Sequence, residues 1–374
     1  MTEAPQIGMR STKAPPTLRE RAYSLRFDPN EIPPPDEVCM TIGDIPIAAR
    51  GNLTVPQGKS KVGKSAVICS MMGAAHRGTY SAHGDTLCIE WQGEAKGAIL
   101  HLDTEQSRAD WHALVNRGLT RSGLPELGDR LVSLPLVMFA RSERLEILKQ
   151  SLAHETERMG CVDLVIIDGI ADLCGSPNDE QEALQLVSEV QALAQQYHCA
   201  IICVIHENPG TQDAKTRGHL GSELNRKAFA NLRIDKDAET SVSTIYGGDM
   251  RKRDIPKEQG FCFAWNDEAG MHTFQGRAAG VKAAKAEAEA QAKEREYFSE
   301  IFGDSGTNGA CPARTPDELV DAHRDSGRTE KTPTREAMKK RMQRAVALGV
   351  LRKASVTHWT MNQTGQTGHE RDNW

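Results

Sequence analysis

The fold is decided by residues 53–66, which read Leu-Thr-Val-Pro-Gln-Gly-Lys-Ser-Lys-Val-Gly-Lys-Ser-Ala. Residues 58–65 match the pattern G-x-x-x-x-G-K-[ST], in which glycines let backbone amides point at phosphate oxygens. The apolar run before it predicts a strand, and the sequence from Lys64 onward predicts a helix whose N-terminus adds positive potential. A glycine turn that matches by chance is the alternative, and the strand-loop-helix context argues against it. The sequence therefore predicts a nucleotide-binding segment composed of Gly58, Lys59, Ser60, Lys61, Val62, Gly63, Lys64, Ser65 and Ala66.

Two side chains of this loop have distinct expected roles. Lys64 should reach the β- and γ-phosphates of ATP, and Ser65 should ligate a Mg²⁺ ion. A second metal carboxylate is expected from Asp168, which ends the run Val-Asp-Leu-Val-Ile-Ile-Asp of residues 162–168. Such runs also occur in parallel sheets without any ligand, so the assignment depends on the loop upstream. ATP and Mg²⁺ are the expected cofactors, and nucleotide hydrolysis is the expected reaction.

Two further polar residues follow predicted strands. Glu105 comes just after the strand 98–103, and that strand can lie beside the loop strand, so Glu105 is the candidate for orienting the attacking water. Asp103 is the rival carboxylate, and a helix N-terminal acid favoured by the dipole is the structural alternative. His206 ends a later apolar strand, where it could sense the γ-phosphate or be an ordinary loop histidine.

Alternating apolar runs and amphipathic stretches predict an α/β fold with a mostly parallel sheet. We expect its strands at Leu53–Pro56, Ala98–Asp103, Leu136–Ala140, Leu164–Asp168 and Ala200–Ile205. Thr86–Trp91 could form a hairpin with Ala98–Asp103 at a sheet edge. After residue 206 the runs become short and alternating, which predicts antiparallel strands that extend the sheet. These strands are expected at Ala230–Asp235, Ser241–Tyr246, Phe261–Trp265 and Met271–Phe274.

The composition is that of a folded globular protein. The chain has 374 residues, 39% of them hydrophobic and 26% charged, which excludes a fibrous or wholly disordered protein. A formal net charge of -5 gives no global basic field for nucleic acid. The nine cysteines form no CxxC pair, and the N-terminus lacks the charge and apolar pattern of a leader. A cytoplasmic location with no membrane segment is therefore expected.

Changes in composition divide the chain into four segments. Residues 1–38 are rich in proline and predict a flexible arm, and residues 39–278 contain the nucleotide-binding pattern. Residues 279–302 are strong helix formers with charges on every face, which is typical of a solvated connecting helix. Residues 303–374 predict two helices, 315–323 and 334–348, followed by an alternating stretch, so a winged-helix-like module is expected.

Two segments are candidates for contact with DNA. Residues 331–353 contain eight basic residues and one acid, and on a helix Lys339, Lys340 and Arg344 share one side. The polar segment 207–222 follows the His206 strand and contains Lys215, Arg217 and His219. It has no aromatic residue to stack on bases, so contact with the DNA backbone is the expected mode. A solvated helix face and a mobile surface loop are the respective alternatives.

The order of these features resembles that of RecA-like ATPases over roughly residues 40–275. It is most similar to plasmid replicative helicases of the RepA type and to related ATPases of mobile elements. The resemblance implies a homo-oligomeric ring, usually a hexamer, with ATP between subunits and single-stranded DNA in the channel. It also implies that Glu105 is the catalytic glutamate and that Arg251 and Arg253 reach a neighbour's γ-phosphate.

The chain departs from this pattern in two places. Related helicases often have lysine at the position of Arg251, and Lys59 and Lys61 make the loop more charged than theirs. The expected function is a DNA-stimulated ATPase motor, and the resemblance implies a replicative DNA helicase of a plasmid or other mobile element. The alternatives are an ATP-switched DNA-binding regulator or replication accessory factor, and an ATPase that remodels protein partners.

Overall fold

The structure is a computed structural model that describes residues 17–80, 84–124, 128–207, 218–302 and 312–362. Its contacts divide the chain into a unit of residues 1–37 and a unit of residues 38–374. In the first unit, α1 (Leu18–Ser24) begins with a capping box between Thr17 and Glu20 and buries none of its residues. The Thr17 and Glu20 side chains satisfy free amides of the first helical turn, and this short exposed helix leaves the flexible arm over residues 1–38 as a prediction.

The larger unit is built on one nine-stranded sheet. The described strands of the sheet are β3 (Leu53–Gly58), β5 (Ala98–Asp103), β6 (Leu131–Pro135), β7 (Val162–Asp168), β8 (Ala200–His206), β9 (Ala230–Lys236), β10 (Ser243–Met250), β11 (Phe261–Asn266) and β12 (Met271–Arg277). Their order in the sheet is β12-β11-β10-β9-β3-β8-β7-β5-β6. Strands β3, β5, β6, β7, β8 and β9 are parallel, and β10, β11 and β12 extend the sheet in antiparallel fashion. The predicted α/β class with this mixed sheet is confirmed.

Helices cover both faces of the sheet, which explains why β3, β5 and β7 are buried along their whole length. One face is covered by α2 (Lys64–Arg77) and α3 (Arg108–Ser122). The other face is covered by α4 (Arg141–Met159), α5 (Glu180–Tyr197) and α6 (Gly218–Lys227). The two hydrophobic clusters thus hold the sheet from both sides and fix its carboxyl edge in place.

Three strand predictions are wrong. The strand expected at Ala230–Asp235 is β9, which runs parallel to β3 and not antiparallel. The strand expected at 136–140 is instead β6 (Leu131–Pro135), because Pro135 pairs with the last residue of β5 and the sheet ends there. The apolar run after it forms an exposed turn, in which Met138 is 86% exposed. The expected hairpin with β5 is also absent from the described residues. Instead, β4 (Ile89–Trp91) pairs with β1 (Val38–Ile42), which also pairs with β2 (Ile45–Ala49) in a separate sheet.

The C-terminal residues form a small unit with its own hydrophobic core. It contains α8 (Pro316–Asp325), α9 (Arg335–Ala347) and the hairpin of β13 (Leu351–Lys353) with β14 (Trp359–Met361). The long helix α7 (Ala278–Phe302) leads from the sheet to this unit. Its last turns contribute four buried residues to the small core, namely Tyr297, Phe298, Ile301 and Phe302. No helix in the described ranges is long and apolar enough to span a membrane.

Candidate functional site

The candidate site lies at the carboxyl edge of the parallel strands. Gly58, at the end of β3, is in register with His206 at the end of β8. Asp168, at the end of β7, is in register with Asp103 at the end of β5. Because neighbouring parallel strands end at the same edge, residues that are far apart in the sequence meet there.

Packing explains the two glycines of the phosphate-binding loop. A Cβ atom on Gly58 would lie 2.4 Å from the carbonyl oxygen of Ile234 in β9. A Cβ atom on Gly63 would lie 2.7 Å from the Phe263 ring, and Gly63 has a φ of +99°. Glycine is favoured at both positions because side chains there would displace neighbouring strands or strain the backbone.

Lys64 is held at the centre of the loop. Its ammonium donates hydrogen bonds to the carbonyl oxygens of Gly58 and Lys59, at 2.8 and 2.7 Å. Burial lowers the pKa of Lys64 to about 8, although the negative charges of Glu105, Asp168 and Glu207 oppose the shift. The lysine is thus a poorly hydrated charge whose present partners are loop carbonyls, and phosphate oxygens are better partners for it.

His206 links Lys64 to Glu105. The Lys64 ammonium lies 3.0 Å from His206 Nδ1, and His206 Nε2 lies 3.0 and 3.1 Å from the two Glu105 oxygens. A charged lysine can only donate, so Nδ1 accepts and Nε2 donates its proton to Glu105. The expectation that β5 lies beside β3 is wrong, because β8 and β7 separate them. The imidazole spans part of that separation and connects the loop to the carboxylate.

A glycine leaves room for the Glu105 side chain. A Cβ atom on Gly169 would lie 2.5 Å from Glu105 Oε1. The Thr104 hydroxyl donates to the carbonyl oxygens of Asp168 and Gly169 and accepts the Gly169 amide, each at 3.1 Å. These bonds fasten the end of β5 to the end of β7, so the position of Glu105 is set by the turn after Asp168.

Asp168 fits a magnesium-nucleotide site, together with Ser65. Burial raises the pKa of Asp168 to about 8, with further contributions from Asp103 and Glu105, and Lys64 opposes the shift. A cation nearby would relieve this unfavourable negative charge. Ser65 is exposed at the start of α2, and its hydroxyl and the Asp168 carboxylate are the hard oxygen donors that Mg²⁺ prefers.

Asp103 has a different local role from Glu105. Its Oδ1 accepts the backbone amides of Glu105 and Gln106, at 3.1 and 2.8 Å, and the residue is fully buried. Asp103 therefore shapes the turn after β5. The more exposed Glu105 carboxylate instead bonds His206, which in turn contacts Lys64. Burial also raises the pKa of Asp103.

A cleft beside the loop contains residues that the sequence analysis did not single out. It has a volume of about 300 Å³ and is lined by Ser65 and Ala66 together with Arg117, Trp265 and His272. The Trp265 ring is half exposed and meets the His272 ring edge-on, with ring centres 5.4 Å apart. An accessible indole and a guanidinium group beside a phosphate-binding loop suit the stacking of a purine base.

The two candidate arginines lie away from the loop of their own chain. They follow β10, which runs antiparallel to β9, so they lie at the sheet edge opposite to Gly58. Arg251 donates to the carbonyl oxygen of Lys227 at 2.8 Å, and Arg253 forms an exposed ion pair with Asp44. Neither arginine is brought together with Lys64 or Glu105, so a role in this chain's own site is not supported.

The candidate DNA-binding residues fall in two places. Lys215 and Arg217 lie outside the described residues, and His219 is exposed in the first turn of α6. Lys339, Lys340 and Arg344 are all exposed on α9. Arg341, from the same basic run, is used structurally instead. Its guanidinium group lies 3.2 Å from the centre of the Tyr297 ring and bonds Glu294 at 2.7 Å.

The site geometry agrees with a comparison of the chain with protein families. The family model of an AAA domain matches residues 14–212, which is more than half of the chain. The chain belongs to this AAA-domain family. The matched range contains the phosphate-binding loop, Glu105, Asp168 and His206, so the protein is a nucleotide-hydrolysing P-loop ATPase. No curated protein shows a significant match to the chain.

Proposed function

We propose that this P-loop ATPase is a DNA-stimulated RecA-like motor, a replicative DNA helicase of a plasmid or mobile element. The observation that carries the proposal is the hydrogen-bonded series Lys64, His206 and Glu105 at the carboxyl edge of the sheet. It connects the residue that meets the phosphates to the carboxylate that can orient water. A change at the γ-phosphate would therefore alter the strand end that leads into residues 208–217.

Each side chain of the site has a separate role in ATP hydrolysis. Lys64 exchanges its loop carbonyls for the β- and γ-phosphate oxygens of ATP. Ser65 and Asp168 would hold Mg²⁺, whose charge would offset the negative charge of the phosphates. Glu105, held by His206, orients the attacking water and accepts its proton. The base stacks on Trp265 in the cleft beside Ser65.

The position of the arginines supports an assembled enzyme. Arg253 is 61% exposed in its side chain and lies at the far edge from its own loop. Its ion pair with Asp44 is exposed to solvent and therefore weak, so an incoming phosphate can replace the aspartate. We therefore assign Arg251 and Arg253 to the active site of a neighbouring subunit in a homo-oligomeric ring.

The C-terminal unit supports DNA as the partner. Lys339, Lys340 and Arg344 lie together on the exposed side of α9, and exposed Arg352 and Lys353 follow in β13. This concentration of positive charge in a chain of net charge -5 suits the phosphate backbone of DNA. We also propose contact of single-stranded DNA with His219, which is exposed in α6, and with Lys215 and Arg217, which lie outside the described residues.

The deciding experiment measures ATP turnover with and without single-stranded DNA, beside a strand-displacement assay. Stimulation together with displacement is the expected result. Stimulation without displacement favours the second candidate, an ATP-switched DNA-binding regulator or replication accessory factor. One observation favours that candidate. The small C-terminal unit, which contains the basic residues, has a hydrophobic core of its own, so it could bind DNA without a motor. Turnover that DNA leaves unchanged would refute the motor, and the absence of DNA binding in the presence of ATP would refute the regulator as well.

A further inference from the structure

A cluster of buried polar side chains lies at the ends of β5 and β7. His101, Asp103 and Asp168 can each bring one ligand atom to the cluster, and these three atoms lie within 4.8 Å of one another. His101 and Asp103 are fully buried, and Asp168 is 7% exposed. In the described part of the chain, His101 Nε2 and Asp103 Oδ2 are buried without any hydrogen-bond partner.

Such unpaired atoms are costly in a protein interior. A buried polar group without a hydrogen bond costs about 1–3 kcal/mol, and more when the group is charged. Here an imidazole nitrogen and a carboxylate oxygen carry this cost within one cluster. A cation bound between them would satisfy both atoms at once, and it would also offset the negative charge of Asp168.

The other polar atoms of His101 and Asp103 form hydrogen bonds that fix the orientation of the two side chains, as in many metal sites. His101 Nδ1 lies 2.8 Å from Ser133 Oγ, which also accepts a hydrogen bond from Trp111 Nε1 at 2.8 Å. If Nδ1 donates its proton to Ser133, Nε2 presents a lone pair to the cluster. Asp103 Oδ1 is held by the backbone amides of the turn. Partners of this kind orient the ligands of a bound metal ion.

We propose that His101, Asp103 and Asp168 bind a divalent transition-metal ion in the nucleotide-free protein. One imidazole nitrogen and two carboxylate oxygens suit Zn²⁺ or Mn²⁺, whereas Mg²⁺ and Ca²⁺ prefer oxygen donors alone. The ion is distinct from the Mg²⁺ that accompanies ATP, although Asp168 belongs to both sites. Binding of this ion needs neither nucleotide nor DNA, so the proposal does not depend on the proposed motor function.

The test is a calorimetric titration of the chelator-stripped, nucleotide-free full chain with Zn²⁺. The wild type should bind one Zn²⁺ per chain. Asp103→Asn keeps the shape of the side chain, and its Oδ1 can still accept the turn amides, yet it should weaken binding by more than about a hundredfold. Ser133→Ala should weaken binding by about 10–100-fold, as expected for an outer partner. Ser65→Ala, which changes only the nucleotide's metal ligand, should bind Zn²⁺ like the wild type.

Three results would overturn the proposal. They are the absence of one-to-one Zn²⁺ binding in the wild type, unchanged binding in Asp103→Asn, and loss of binding in Ser65→Ala. Thermal melting of each variant checks that it is folded. Should Asp103→Asn fail to fold, His101→Phe removes the nitrogen ligand instead, and Zn²⁺ affinity in that variant equal to the wild type would likewise refute the site.

Discussion

The pKa of Lys64 makes the affinity for polyphosphate depend on pH. Phosphate oxygens attract the ammonium form, so binding raises the pKa of Lys64 above the value of about 8 that the free site has. Affinity is therefore highest well below pH 8 and is lost as the pH rises through 8. From pH 7.5 to pH 9.5 the charged fraction of a group with pKa 8 falls about 25-fold, and the dissociation constant should rise by the same factor.

The assay is calorimetric titration with tripolyphosphate in the presence of a chelator, since this ligand has no base and needs no metal. The matched control is Lys64→Arg in the Asp168→Asn background, because a guanidinium group stays charged over the whole range and this double variant should give a flat profile. Burial raises the pKa of Asp168 to about 8, so this carboxyl group becomes negatively charged over the same pH range. Its charge would also weaken polyphosphate binding as the pH rises. The slope should therefore persist in Asp168→Asn, in which only the lysine titrates.

Two results would refute this reasoning. A wild-type profile that is flat up to pH 9.5 would mean that Lys64 has an ordinary pKa, since the charged fraction would then change by only about 10%. A slope that remains in the Asp168→Asn, Lys64→Arg double variant would assign the pH dependence to another group.

Four further predictions concern the site and its partners. Gly169→Ala should displace the Glu105 side chain, because Glu105 Oε1 would lie 2.5 Å from the new Cβ, and should lower kcat by roughly a hundredfold with ATP affinity intact. Gly175→Ala, whose new Cβ would lie nearest to Glu182, is the control. An unchanged kcat in Gly169→Ala would contradict the assigned role of Glu105. Trp265→Ala should weaken ATP binding by about 5–150-fold, equivalent to the roughly 1–3 kcal/mol of a stacked base, without changing tripolyphosphate binding, and equal losses for both ligands would disprove stacking. Arg253→Ala subunits should bind ATP but lose about a thousandfold in turnover and regain activity when mixed with Glu105→Gln subunits; verified mixed assemblies without recovery would exclude a shared site. Replacing Lys339, Lys340 and Arg344 with alanine should reduce the slope of log affinity for single-stranded DNA against log salt by about 2, and an unchanged slope would leave these residues as solvated surface.

The phosphate-binding loop and the ends of the buried strands could be predicted because their chemistry is local. The loop is a contiguous pattern, and Asp168 ends an apolar run that both helical layers of the fold bury. Glu105 and His206 were also found in this way, but their contact was not. It depends on the register that places His206 beside Gly58, and no short segment of sequence encodes that register.

Residues that depend on distant packing were missed. Trp265 reaches the cleft only because the antiparallel strands place β11 near α2 and α3, and in sequence it is one aromatic in an alternating strand. His101 lies within an apolar strand, where a histidine gives no sign of a ligand site. Arg341 was counted only as one of the eight basic residues in 331–353, because its stacking on Tyr297 depends on α7 packing beside α9.

The continuity of α7 has a mechanical consequence. The helix starts immediately after the last strand of the sheet, its first amide bonds the carbonyl oxygen of Gly260, and its far end is buried in the small core. A helix of 25 residues is roughly 37 Å long and stiff over that length. It therefore acts as a lever arm: a tilt of about 10° at the sheet would move the far end by roughly 6 Å, about one turn of helix. Rearrangements of the strands during an ATP cycle would thus reach the basic unit as directed displacement rather than be absorbed by a flexible tether.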